Sequence, residues 1–88
     1  MRARQRGRAR CLMPQVIIFT NHGCSACQAA KQFFNEHGVA YVERNIGDDP
    51  EARDELIRQG FRAVPLIRIG GEAMVGFSAM KLRRMLGL

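Results

Sequence analysis

Two cysteines stand close together in the segment HGCSAC, where Cys24 and Cys27 are separated by two residues. A pair with this spacing can be a redox-active dithiol, half of a tetrahedral zinc site, or two thiols without chemistry. In a dithiol, the thiolate of one cysteine attacks a substrate disulfide. The other cysteine, about one helical turn away, then attacks the mixed disulfide and releases the substrate. At the start of one helix, the spacing therefore supplies a nucleophile, Cys24, and a resolving thiol, Cys27.

Further residues of the kinds that bind zinc or tune a thiolate are Cys11, His22 and His37. They form no second closely spaced Cys/His pair, so the sequence disfavours a zinc site and predicts no metal centre. His22, as a cation, could stabilise a thiolate at Cys24, but a solvated loop histidine is the commoner case. Lys31, on the same helix face as Cys24, is interpreted as a surface lysine. The odd number of cysteines argues against a secreted scaffold held by disulfides and favours the reducing cytoplasm.

The residues around the cysteine pair predict a strand, a tight turn and a helix. Val16–Phe19 is a continuous β-branched and aromatic run, typical of a strand buried on both faces. After the break at Thr20–Gly23, apolar residues recur at helical spacing, and Gly38 is a suitable stop. These apolar residues are Ala26, Ala29, Ala30, Phe33 and Phe34. Cys24 then lies at the helix N-terminus, where free N–H groups and the helix dipole lower the thiol pKa. Two purely structural cysteines are less expected at such an exposed turn.

The middle of the chain predicts a second strand and a second helix. The strand is expected to begin within Val39–Val42. Asp48–Glu51 is a strong helix start, because it combines an acidic cap, a proline in the first turn and acidic side chains at the positive end of the dipole. Gly60 ends this helix. The predicted inner face is formed by Ala52, Leu56 and Ile57.

The last third predicts a hairpin followed by a helix. Leu66–Ile69 is a short strand, Gly70 and Gly71 form the turn, and Ala73–Val75 is the antiparallel return strand. Ser78 can cap a final helix. The inner face of that helix is predicted to be Leu82, Met85 and Leu86. The element order βαβαββα, with a parallel first βαβ unit, predicts an α/β fold: a four-stranded mixed sheet with helices on both faces.

The final helix also carries cationic and methionine side chains. Lys81, Arg83 and Arg84 are interpreted as a solvated face, with cationic charge near the helix C-terminus. Met80 is interpreted as packing in the core or at its rim.

The positive charge of the chain is concentrated at its start. The 88 residues carry a formal net charge of +6, of which the five arginines within residues 1–12 supply +5. Residues 1–12 are therefore predicted to be a basic, disordered extension, and residues 13–88 a single folded domain. The extension could bind a polyanion weakly or be a fragment of a transit peptide, but an extension without a role is favoured and nucleic-acid binding is not expected. No signal peptide or membrane span is predicted.

Three segments of the folded part together resemble the glutaredoxin branch of the thioredoxin fold: FTNHGCSACQAAKQFF, RAVPLIRIGG and VGF. The resemblance covers residues 13–88. It implies that Cys24 is the nucleophile, that Cys27 resolves, and that Pro65 is cis and packs against the pair. It also implies that the backbone of Val64 pairs with an incoming peptide or with glutathione, which is a β-type recognition mode. The remaining substrate-binding residues that the resemblance implies are Arg62, Gly76 and Phe77.

Some positions depart from the glutathione-using members of that family. Those members usually carry a lysine three residues before the first cysteine, where this chain has Asn21. They often carry paired aspartates after the glycine motif, where this chain has Phe77, Ser78 and Ala79. The segments EARDELIRQGF and VGF are similar to the NrdH-type redoxins, which are generally reduced by thioredoxin reductase, although the SGFRPD-like signature of that group is not present.

The resemblance implies a small monomeric thiol–disulfide oxidoreductase that reduces protein or glutathione mixed disulfides. It implies no tightly bound cofactor, glutathione as a candidate co-substrate, and glutathione or thioredoxin reductase as the reductant. The alternative is a glutaredoxin that carries or senses an iron–sulfur cluster, bridged between two protomers by the first cysteine and glutathione. The small residues Ser25 and Ala26 leave room near the sulfur and keep that alternative open.

Overall fold

The computed structural model describes residues 15–88, and the predicted basic extension lies outside the described residues. The described chain contains four strands and three helices. They are β1 (Val16–Thr20), α1 (Ser25–Glu36), β2 (Val42–Asn45), α2 (Pro50–Arg58), β3 (Leu66–Ile69), β4 (Glu72–Val75) and α3 (Ala79–Leu86). The strands form one sheet in the order β2-β1-β3-β4. Strand β1 pairs in parallel with β2 and antiparallel with β3, and β3 and β4 form an antiparallel hairpin. The predicted four-stranded mixed sheet is confirmed.

Two apolar clusters lie on the two faces of this sheet, because successive side chains of a strand point to opposite faces. On one face, Ile18 and Ile67 pack with Phe34 of α1 and Leu82 of α3. On the other face, Phe19 and Leu66 pack with Ala52 and Leu56 of α2. The predicted helices on both faces are therefore confirmed, with α1 and α3 sharing one face and α2 covering the other.

The structure fixes the start of β2 and shows that one residue predicted for the inner face of α2 was wrong. Strand β2 begins at Val42, the last residue of the range in which it was expected to begin, because the Val39 N–H donates to the Phe34 carbonyl at 2.8 Å and Val39 still belongs to the turn that ends α1. Ile57 does not face the core: it is 49% exposed, whereas Ala52 and Leu56 are buried. Ile57 lies about 100° around the helix from Leu56, so the two side chains cannot both face the sheet squarely.

The predicted helix starts are confirmed in their caps. The Asp49 side chain accepts from the Glu51 N–H at 3.0 Å, with Pro50 as the first helical residue. The Ser78 hydroxyl accepts from the Lys81 N–H at 3.3 Å and begins α3. Within residues 15–88, none of the helices is both long and apolar enough to cross a membrane.

Candidate active site

The strand register brings three separate segments to one edge of the sheet. Phe19, next to last in β1, pairs with Leu66, the first residue of β3, and Leu66 pairs with Val75, the last residue of β4. The HGCSAC loop therefore leaves the sheet beside the point where the Val64-Pro65 segment enters it. The Gly76 N–H donates to the Pro65 carbonyl at 2.8 Å, which joins the third segment to the second.

Cys24 is the N-cap of α1. Its backbone is extended, with φ −100° and ψ 105°, and its sulfur accepts from the Cys27 N–H at 3.1 Å. The first turn of α1 contains no acidic residue. An anionic sulfur at this position therefore receives a backbone N–H and the positive end of the helix dipole, with no carboxylate in that turn to oppose them.

The two cysteines differ in their access to solvent. They are joined in a disulfide with 5.2 Å between their Cα atoms, within the range of ordinary disulfides. Cys24 is partly exposed, whereas Cys27 is 1% exposed and belongs to the buried face of α1. A thiol arriving from solution therefore reaches the sulfur of Cys24 before that of Cys27.

The loop before Cys24 is held by the loop that follows β2. The Asn21 carboxamide oxygen accepts from the His22 N–H at 2.7 Å, and His22 Nε2 lies 2.8 Å from Asp48 Oδ1. Gly47 sits so close to this loop that a Cβ on it would lie 2.5 Å from Asn21 Oδ1 and 2.8 Å from His22 Cδ2. These contacts define a clasp formed by Asn21, His22, Gly47 and Asp48. The His22 side chain is 66% exposed and its partner is Asp48, so the structure agrees with a solvated loop histidine.

Sequence reasoning missed the clasp, although one signal for it exists. Strands β1 and β2 are parallel, with Thr20 aligned to Asn45, so their C-terminal loops leave the sheet at the same edge. The Ile46 N–H also donates to the Thr20 carbonyl at 2.8 Å and keeps the two loops together. Parallel strands predict neighbouring loops, but the glycine contact depends on side-chain positions that no spacing specifies.

A polar network joins the end of β1 to β2 and α1, next to the loop that carries Cys24. The buried Thr20 hydroxyl donates to Glu43 Oε2 at 2.8 Å, and Lys31 Nζ lies 3.0 Å from the same oxygen. The Thr20 hydrogen bond, and after it the Lys31 hydrogen bond, lowers the pKa of Glu43 below its ordinary value. Lys31 was interpreted as a surface lysine, but its side chain is only 20% exposed. It ties α1 to β2 in a position that sequence spacing did not reveal.

The predicted groove residues fall at the same edge but differ in environment. The Val64-Pro65 peptide bond is cis and Pro65 is buried, while Val64 is half-buried and Arg62 is exposed. Gly76 has φ +88°, a left-handed conformation that favours glycine. The Phe77 ring packs in an edge-to-face arrangement 6.0 Å from Phe33 and so points toward the core. A contact between these residues and a substrate stays a prediction.

The predicted zinc candidates are not brought together. His37 caps the C-terminal end of α1, about 20 Å along the helix from Cys24, and its Nδ1 lies 2.9 Å from the Phe33 carbonyl oxygen. His22 is held by Asp48, and Cys11 lies outside the described residues. No group of three or more metal-binding side chains occurs in the part of the chain that the structure describes.

Comparison with known proteins identifies the relatives of this arrangement. The Glutaredoxin family model matches residues 16–74. The glutaredoxin-like protein NrdH of Lactococcus lactis subsp. cremoris (strain MG1363) is 33% identical over 70 residues, which are 80% of this chain and 97% of that protein. NrdH of Escherichia coli (strain K12) is 30% identical over 71 residues, covering 81% of this chain and 88% of the relative. The solved NrdH-redoxin structure from Escherichia coli superposes with a TM-score of 0.74 at 30% identity, covering 80% of this chain and 92% of that one. The element order is that of the thioredoxin fold.

Proposed function

The chain belongs to the glutaredoxin family of thiol–disulfide oxidoreductases, and from that premise we propose that it reduces protein disulfides through Cys24 and Cys27 and is itself reduced by thioredoxin reductase. The observation that carries the proposal is the unequal pair at the start of α1, with one sulfur accessible at the helix terminus and the other buried. We further propose a monomer that acts in the cytoplasm.

The reaction consists of two thiol–disulfide exchanges. The Cys24 thiolate attacks one sulfur of the substrate disulfide, a mixed disulfide forms, and the other substrate sulfur leaves as a thiolate that takes up a proton. Cys27 then loses its proton, and its thiolate attacks the Cys24 sulfur. The second substrate sulfur leaves, and the Cys24–Cys27 disulfide remains. Two electrons pass from the dithiol to the substrate, and the reductase later returns two electrons to the pair.

The geometry at α1 supports this order of attack. The N–H of Cys27 and the helix dipole stabilise the Cys24 thiolate, so the accessible sulfur is also the more nucleophilic one at neutral pH. The buried Cys27 sulfur has its partner at disulfide distance, so once the mixed disulfide has formed it attacks without a rearrangement of the helix. An extended substrate chain would pair with the Val64 backbone beside the cis Pro65, with Arg62 next to it.

The charges missing from the groove support a protein reductase as the electron donor. Asn21 lies where glutathione users carry a lysine, and its side chain is engaged with the His22 N–H. Ser78 lies where they carry an aspartate, and its hydroxyl caps α3. Neither position offers glutathione an ionic contact. The NrdH-redoxin of Escherichia coli is described by its thioredoxin-like activity profile, which fits the same choice.

A reductant exchange experiment tests the proposal. The oxidised protein is supplied with NADPH and either thioredoxin reductase or glutathione with glutathione reductase, and NADPH consumption is followed. We expect rapid consumption with thioredoxin reductase and slow consumption with glutathione. Equal or faster consumption in the glutathione arm would contradict the proposed reductant.

Cysteine variants test the roles of the two thiols. Cys24→Ser should abolish NADPH consumption in both arms, and Cys27→Ser should accumulate a mixed disulfide with a protein substrate. Full activity of Cys24→Ser would refute the mechanism.

The iron–sulfur alternative stays a prediction. Ser25 is exposed and Ala26 is partly exposed in the first turn of α1, so both small side chains lie beside the accessible sulfur. Anaerobic reconstitution with iron, sulfide and glutathione provides the measurement. A colourless protein that stays monomeric would exclude this alternative.

A further inference from the structure

Charge is divided unevenly between the two parts of the described chain. Residues 60–88 contain five lysines and arginines and one acidic residue, a net charge of +4. Residues 15–59 contain four basic and seven acidic residues, a net charge of −3. Residues 60–88 supply β3, β4 and α3, and residues 15–59 supply β1, β2, α1 and α2. The active-site edge lies where these two parts meet.

Basic residues of the C-terminal part occur in the two segments of the chain that meet at Pro65. Arg62 precedes the cis Pro65, and α3 begins three residues after Gly76, whose N–H bonds to Pro65. The exposed cations on α3 are Lys81, Arg83 and Arg84. None of these four cations forms a salt bridge within residues 15–88. The acidic residue of this part, Glu72, pairs with Ile69 at the opposite end of the hairpin and does not neutralise them.

An apolar side chain lies among these cations. Met80, in the first turn of α3, is 75% exposed, so its interpretation as packing in the core or at its rim was wrong. An unbranched thioether adapts to differently shaped apolar partners. We define the basic rim as the exposed residues Met80, Lys81, Arg83 and Arg84 of α3. Asp48 of the clasp follows β2, which is at the opposite end of the strand order from β4 and α3, and its carboxylate is exposed and contacts His22.

We propose that the basic rim docks an acidic segment of the substrate protein, next to the disulfide that Cys24 attacks, with an apolar residue of that segment against Met80. The inference rests on the proposed function and names the substrate chemistry for that site. Cations without protein partners beside a groove attract acidic chains over several ångströms and raise their association rate. The carboxylate of Asp48 disfavours the reverse orientation of the same segment. The charges of Asp48 and of the basic rim therefore also set the direction in which the substrate chain lies.

Matched peptides test the proposal on the full chain. Two synthetic peptides carry the same disulfide and the same apolar neighbour but have aspartate and glutamate or lysine in the flanks. Single-turnover reduction by the reduced protein gives a rate for each peptide. Each rate is divided by the rate of the same protein with the neutral bis(2-hydroxyethyl) disulfide, so differences in folding or in Cys24 reactivity cancel. We expect a preference of about tenfold for the acidic peptide at low ionic strength, falling as salt is added.

Two double variants with the same change in net charge locate the effect. K81E/R84E reverses two cations of the basic rim and should abolish or invert the preference. R53E/R58E reverses two exposed cations of α2, which covers the other face of the sheet, and should retain it. K81Q/R84Q removes the same rim charges without adding acidic ones near the C-terminus of α3, so the test survives if K81E/R84E fails to fold. The arginines of residues 1–12 are present in every variant, so a difference between K81E/R84E and R53E/R58E does not come from them.

Several results would overturn the proposal. Equal normalised rates for the two peptides would do so, and so would an equal loss of preference in K81E/R84E and R53E/R58E. Tighter binding of a short single-stranded DNA than of the acidic peptide, lost in K81E/R84E, would assign the basic rim to nucleic acid instead. Failure of the proposed function gives a different result, because the wild-type protein would then not reduce the neutral disulfide.

Discussion

Replacing Gly47 by alanine should disturb the clasp that holds the loop before Cys24. The new Cβ would lie 2.5 Å from Asn21 Oδ1, 2.8 Å from His22 Cδ2 and 3.1 Å from Asn45 Oδ1, all closer than ordinary van der Waals contact. These atoms are at side-chain ends, so the side chains can move. The movement, however, breaks the bond from the His22 N–H to Asn21 and the contact between His22 and Asp48.

The size of the effect follows from those two interactions. A hydrogen bond contributes about 0.5–1.5 kcal/mol net, and both of these are exposed, so we assign about 1–2 kcal/mol to the pair. Replacing glycine by alanine also restricts the unfolded chain, which raises the free energy of unfolding by about 0.4–1 kcal/mol. Gly71→Ala is the matched control, because a Cβ there meets nothing within 4 Å and its φ is outside the left-handed region. The two variants should therefore differ in unfolding free energy by about 1–2 kcal/mol.

Urea unfolding followed by circular dichroism measures this difference, with Gly47→Ala less stable than Gly71→Ala. Iodoacetamide alkylation of the reduced proteins gives a second measurement, and Cys24 should react at a changed rate only in Gly47→Ala, because only there does its loop move. Identical unfolding midpoints and identical alkylation rates for the two variants would refute the idea that the clasp positions Cys24.

Three further outcomes are expected. Alkylation of reduced Cys24 against pH should give a pKa below that of a free cysteine, and an unshifted value would contradict the helix-terminus argument. Because the folded pKa of Glu43 lies below its ordinary value of 4.5, its carboxylate stabilises the fold above that pH, and this contribution is lost as the pH falls through the lowered pKa. Thr20→Val removes the largest cause and should flatten the acid limb of unfolding free energy against pH; an unchanged limb would refute the assignment. Asp49→Ala removes the N-cap of α2 and should cost about 1 kcal/mol in urea unfolding, whereas no loss would count against the cap.

The parts of the fold that were predictable from sequence are those with strong local determinants. The Asp49-Pro50 pair specifies a helix start, and Gly70-Gly71 specifies a tight turn, whatever lies around them. The run Val16–Phe19 is apolar at every position, which suits only a central strand in a small α/β domain. The placement of Cys24 followed from the same local signals, since a strand, a glycine turn and a helical period leave one position for the N-cap.

The predictions that were wrong or incomplete depend on contacts between residues that are distant in the sequence. Ile57 fits a helical apolar stripe, but the packing of α2 on the sheet buries Ala52 and Leu56 and leaves Ile57 exposed. Lys31 has the spacing of a surface residue on α1, but its side chain is partly buried where it contacts Glu43 of β2. Met80 is apolar at a helical position, yet α3 already buries Leu82 and leaves Met80 in solvent.

The features that we propose make Cys24 reactive do not depend on the identity of the substrate. A backbone N–H, a helix dipole and a buried partner thiol act on any disulfide that reaches the sulfur. Selectivity must therefore come from side chains that contact the substrate beyond its disulfide, and within residues 15–88 the cations of the basic rim are exposed and form no salt bridge. Changes in the clasp should consequently alter the rates with all disulfides by a common factor, because they act on the sulfur. Changes in the basic rim should alter the ratio of rates between substrates, because they act on the chain that carries the disulfide.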